Sequence, residues 1–156
     1  MPTLRAISTS RISRTLRWAS RASVASSRRW RVCSARGLET ARAIADAFVR
    51  HWDTHGAALR VRNLKAEEGD RAFRRTRLQT LTPLVEKLAQ RIEESRAAGR
   101  VSKDLNPWAA ASSLIAMLER MSSYHHNLER AGVTRAQLVE TCARILHQTV
   151  TGRAAG

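Results

Sequence analysis

Asn106-Pro107-Trp108-Ala109-Ala110-Ala111-Ser112-Ser113-Leu114-Ile115-Ala116-Met117-Leu118 is the stretch that decides the fold class. Asparagine offers a side-chain oxygen as a helix cap. Proline at the next position has its φ pre-set for a helix and lacks only an N–H that would find no partner there. The helix opened in this way carries apolar residues on two faces. Leu114, Met117, Met121, Tyr124 and Leu128 form one stripe, and Trp108, Ala111, Ile115 and Leu118 form the other. A helix apolar on two sides is covered on two sides. Gly132 marks its end.

The same periodicity extends in both directions. Downstream, Thr134 with Gln137 three residues later forms a capping box. The helix behind it carries Leu138, Cys142, Ile145, Leu146, Thr149 and Val150 before Gly152. Upstream, Phe73, Arg77, Leu81, Leu84, Leu88 and Ile92 share a stripe with Leu78 and Val85, between the Gly69-Asp70 turn and cap and a left-handed cap at Gly99. Pro83 lies inside that pattern and predicts a kink rather than a stop, because the periodicity resumes in phase. Before it, Leu38, Ala41, Ile44, Ala45, Phe48, Val49 and Trp52 recur at three- and four-residue steps. A break at Thr54-His55-Gly56 then separates off a short helix, Ala57 to Lys65, with Leu59, Val61 and Leu64 apolar. No alternating strand pattern of useful length occurs. The expectation is an all-α domain of five helices over residues 38–152. Hydrophobic residues make up 43% of the chain and aromatics 4%, so its core is built mainly from aliphatic side chains that lose little freedom in helices.

Charge is unevenly spread. The chain of 156 residues carries a formal net charge of +15. Residues 1–38 hold nine arginines and no acid, which leaves 19 basic against 13 acidic residues in the rest. The extreme charge therefore belongs to the first 37 residues, an Arg- and Ser-rich tail expected to be irregular or disordered. Three readings compete for it: a transit peptide, a basic arm for nucleic acid, or a mis-started or frame-shifted remnant, which is preferred. Two cysteines, Cys33 and Cys142, make neither a disulfide framework nor a metal knuckle. The longest apolar run, Pro107 to Leu118, is too short to span a bilayer, so no membrane partner is expected.

Candidate sites are few. His51 and His55 share a helical face, but Trp52 stands where a zinc-protease motif needs Glu, so they read as solvated or pocket-rim histidines. His125 and His126 read the same way, and no metal or cofactor is expected. Trp52, Phe73, Leu81, Met117, Met121 and Tyr124 are candidates to line a cavity, methionine adapting to varied apolar ligands and the tyrosine hydroxyl fixing orientation. Arg74, Arg75 and Arg77 crowd one turn; a solvated face is the default and an anionic ligand tail the minority option. No nucleophile–base pair or phosphate-binding loop is present, so the chain is not read as an enzyme. Two broad-faced helices at the C-terminus point to a homodimer built as a four-helix bundle. Its candidate contacts are Trp108, Ile115, Leu118, Leu138, Cys142, Ile145 and Leu146.

The run Arg91-Ile92-Glu93-Glu94-Ser95-Arg96-Ala97-Ala98-Gly99-Arg100-Val101-Ser102-Lys103-Asp104-Leu105-Asn106-Pro107-Trp108-Ala109-Ala110 resembles the C-terminal domain of TetR-family transcriptional regulators. That family places a helix ending in Ala-Gly, an Asp-Leu-(Asp/Asn)-Pro turn and an Ala-rich helix in this order. The resemblance extends from about Leu38 to Gly152 and rests on layout and a loose motif. It implies a cytoplasmic bacterial regulator whose helical domain binds a small apolar or amphipathic effector, dimerises through its last two helices, and moves a DNA-reading domain. Residues 1–37 lack Phe, Tyr and any acid, and hold no helix-turn-helix stripe. DNA is thus a partner by resemblance only. The alternative is a stand-alone helical protein that binds a small molecule and does not read DNA.

Overall fold

The computed structural model describes residues 35–152; the expectations for the Arg/Ser-rich tail fall mostly outside them. Four helices make up the fold: α1 (Ala35–Glu67), α2 (Arg71–Ala97), α3 (Pro107–Arg130) and α4 (Arg135–Thr151). Among the described residues there is no strand.

The caps fall where side-chain chemistry puts them. Asp70 accepts from the N–H groups of Ala72 and Phe73, and Asn106 accepts from Ala109 at 3.0 Å. At Thr134 the reciprocal box closes, with the Gln137 N–H donating to the hydroxyl and the Gln137 side chain accepting from the Thr134 N–H at 2.8 Å. Gly99, at φ 67°, turns the chain out of α2, while the Arg100 N–H reaches back to the Ser95 carbonyl. Helix α2 runs through Pro83 from end to end.

Five helices were expected and four are found. The break at Thr54-His55-Gly56 does not occur, and α1 continues through it for 33 residues. Glycine inside a helix costs about 1 kcal/mol relative to alanine. Trp52 and Leu59, on either side of it, are both buried, each contributing roughly 1.5–3 kcal/mol by leaving water. Burial of the flanks outweighs the weak link between them. The uninterrupted phase also changes which residues face inward. Leu59, Arg62 and Ala66 point to the interior, whereas Val61 and Leu64, expected as its apolar side, are exposed. Leu78, expected on the stripe of α2, is likewise exposed.

The main core joins all four helices through Ala41 and Ala45 of α1, Leu88 and Ile92 of α2, Ala111, Leu114, Ile115 and Leu118 of α3, and Cys142, Ala143, Leu146 and Val150 of α4. Burial pushes the Cys142 thiol pKa up, keeping it a protonated core residue. Helices α1 and α4 are also laced by ion pairs, with Arg42 on Glu140 at 2.5 Å and Arg135 on Asp46 at 3.3 Å. Gly152 ends α4 at φ 69°, where a Cβ would run into the Arg100 carbonyl of the α2–α3 connector. The chain's last described turn is thereby seated on that connector.

Candidate functional site

Half-way along α3 the inward face changes character. Ala111, Leu114, Ile115 and Leu118 are followed by Glu119, Ser122 and His125, all buried. The facing residue of α1 is Arg62, only 2% exposed. A guanidinium so placed must be paired, and it is. Its Nη2 donates to Glu119 Oε1 at 2.7 Å, and its Nε and Nη2 both donate to Asn63 Oδ1. The second oxygen of Glu119 accepts from Arg77 Nη2 of α2 at 2.8 Å. One carboxylate thus stands between two guanidiniums from two different helices, and the trio carries one uncompensated positive charge. Burial pushes the Arg62 pKa down, opposed by the charge and hydrogen bond of Glu119. Arg77 Nε makes no hydrogen bond among the described residues.

His51 lies in the same field. Burial first, then the neighbouring His55 and Arg62, push its pKa down to about 4, so the ring is neutral at pH 7. Its ring meets that of His55 edge to face, the centroids 4.9 Å apart. An apolar wall adjoins the charges, because Leu59 precedes Arg62 by three residues on α1 and Phe73 precedes Arg77 by four on α2. Trp52, Leu59 and Phe73 pack as a small cluster separate from the main core. Aromatic surface beside an excess cation suits an amphipathic ligand with an acidic end.

One turn further along α3 is a second polar group. Asp53 of α1 has Oδ1 2.7 Å from His125 Nε2 and 3.8 Å from His126 Nε2, while its Oδ2 accepts from Arg135 Nη1 at 2.7 Å.

The expected cavity-lining residues fall in three places. Trp52 and Phe73 share the small cluster. Leu81, Met117 and Met121 are half-buried against the main core. Tyr124 is exposed, its hydroxyl accepting from Arg120 Nη2 at 2.7 Å with that guanidinium 4.0 Å above its ring. Of the expected dimer contacts, Ile115, Leu118, Leu138, Cys142 and Leu146 are buried within this chain's own core, whereas Trp108 and Ile145 reach the surface. Arg74 and Arg75 are exposed, and Arg77 turns to Glu119. Reading the residues alone missed Arg62 and Glu119. The available signal was phase: Arg62 falls on the inward stripe of α1 when it is carried on without a restart at Gly56, and Glu119 follows Ile115 by four residues on the inward stripe of α3.

The family model for the tetracyclin repressor-like C-terminal domain matches residues 22–156, most of the chain. The chain belongs to this family. The all-helical TetR-type domain described above agrees with that assignment, and the match begins at Ala22, ahead of the composition change near Leu38. No curated protein and no solved structure matches the chain. No helix of the described residues is long and apolar enough to cross a membrane.

Proposed function

We propose that this chain is the effector-sensing and dimerising part of a TetR-type transcriptional regulator, acting by binding rather than by catalysis. The family match over most of the chain carries the reading. The effector site lies where α1, α2 and α3 meet at Arg62, Arg77 and Glu119, walled by Trp52, Leu59 and Phe73. Its ligand is a small amphipathic molecule, with an apolar body on the aromatic wall and an acidic group on Arg77. The excess positive charge and the Arg77 Nε without a hydrogen bond support that polarity. A panel of aromatic and aliphatic carboxylates tests it by thermal shift, each against its uncharged amide. Stabilisation by acids and not by amides, lost in Arg77→Ala, is the expected result; equal effects of acid and amide would sink it.

Dimerisation falls to the outward faces of α3 and α4, where Trp108 and Ile145 supply exposed apolar anchors and Ala109, Ser113 and Ala116 leave room for a close helix approach. Sedimentation should show a dimer, and the double substitution Trp108→Asp with Ile145→Asp a folded monomer. A wild-type monomer would defeat this half of the proposal. Mobility shift of upstream DNA across a salt series separates a regulator that reads DNA from a stand-alone binding protein, since purely phosphate-driven binding falls steeply with salt and ignores sequence.

A further inference from the structure

Asp53, His125 and His126 each offer one ligand atom, and these atoms all lie within 4.8 Å of one another. The other polar atom of each side chain is already engaged. His125 Nδ1 is 2.7 Å from the Ser122 carbonyl, His126 Nδ1 is 3.0 Å from Glu129 Oε2, and Asp53 Oδ2 accepts from Arg135. A carbonyl or carboxylate oxygen only accepts, so both Nδ1 atoms donate. In a neutral imidazole the lone pair is then on Nε2. Two imidazole nitrogens that carry lone pairs and a carboxylate oxygen therefore lie within 4.8 Å of one another. His125 is 4% exposed, and its Nε2 makes no hydrogen bond although Asp53 Oδ1 is 2.7 Å away. At 2.7 Å the pair is closer than the about 3.3 Å that separates two ligand atoms on one tetrahedral ion, so the Asp53 carboxylate draws back by a few tenths of an ångström when an ion enters. A proton on His125 Nε2 would make this contact an ion pair, the arrangement that competes with a bound cation, while Glu129 holds His126 in either case.

We propose that Asp53, His125 and His126 form a divalent transition-metal site, of the chemistry that takes Zn2+. Two imidazoles and a carboxylate are its usual donors, with bonds of about 2.0–2.2 Å that put neighbouring ligand atoms about 3.3 Å apart on a tetrahedral ion. His126 is exposed and closes the remaining distance by side-chain rotation. The outer partners fix the tautomer and orientation of each ligand, the arrangement metal-bound histidines ordinarily have. Three protein ligands leave the fourth position to water or to an incoming donor atom. Asp53 belongs to α1 and the histidines to α3, so the ion joins these two helices, and Arg135 in the first turn of α4 holds Asp53 from the other side. The site is separate from the Arg62 cluster and does not depend on the effector reading.

The test uses the full chain stripped with chelator and titrated with Zn2+ by calorimetry and with Co2+ by visible absorption. One ion per chain is expected, together with d–d bands of low coordination number and a rise in melting temperature that chelator reverses. His126→Ala and Asp53→Asn, both at exposed positions and checked for helicity, should each weaken binding at least tenfold. Glu129→Gln should weaken it by up to about tenfold, through the orientation of His126. Absence of stoichiometric binding would leave only a His125–Asp53 ion pair and overturn the proposal. Binding unchanged in both His126→Ala and Asp53→Asn would overturn it as well, by placing the ion elsewhere.

Discussion

Around Ile92, Leu118 and Leu146 the four helices meet through hydrocarbon, whereas around Arg62 and Glu119 three of the same helices meet through charge. Leu118 and Glu119 are neighbours in sequence and both buried, yet they are held in place by opposite physics. The apolar end needs only that side chains of the right volume leave water, and it tolerates repacking. The polar end needs particular partners at particular distances, because a buried guanidinium without its carboxylate is far worse off than in water. The first region suits a scaffold. The second is conditional on its contents and suits a site.

That contrast can be broken by single substitutions. Glu119→Ala strands Arg62 and should cost about 3–5 kcal/mol in urea denaturation. Replacing the pair together, Arg62→Met with Glu119→Leu, should recover most of that loss; a double variant no better than the single would mean that more than the ion pair holds this end. Next in size is Leu118→Ala, one residue away, where the lost contacts and residual cavity should cost about 2–4 kcal/mol whatever the pH or salt. Gly152→Ala probes the seam between α4 and the connector. Its positive φ and the Arg100 carbonyl in the path of a Cβ should cost about 1–3 kcal/mol, read as a lowered melting temperature with helicity retained.

The smallest effect belongs to the surface pairing of α1 and α4. Hydrogen bonding to Arg42, with Arg144 assisting, holds the Glu140 carboxyl at a pKa of about 2. A carboxyl whose folded pKa is depressed contributes stability above its unfolded pKa, and that contribution fades as pH falls towards the folded value. The advantage of wild type over Glu140→Gln should therefore be present at neutral pH, shrink between about pH 5 and pH 2, and weaken with salt. An advantage that grows on acidification would contradict the pairing.

The helices were legible because their signals are local. Asp70, Asn106 and Thr134 cap where a side-chain oxygen can reach the first free N–H groups, and Gly99 and Gly152 end helices where the backbone turns left-handed. The helix count was misread at Gly56 because a local breaker was weighed without the tertiary burial of Trp52 and Leu59 that overrides it. That error hid the inward position of Arg62. Restarting the phase after Gly56 puts Val61 and Leu64 on the apolar side of the helix, whereas the uninterrupted helix turns Arg62 inward. The exposure of Tyr124 has a related reason: α3 has apolar residues on two faces, and only the neighbouring helices select which face is covered.

The sequence by itself determined that this chain is helical, where three of its helices begin, and which family its layout resembles, since capping and periodicity are fixed by residues within a turn or two of each other. Only the tertiary structure decided that Arg62, Arg77 and Glu119 share one buried point, and that Asp53 of α1 meets His125 and His126 of α3. Those contacts join residues dozens of positions apart. They depend on the rotation of each helix about its own axis, which is set when all the apolar faces are buried together.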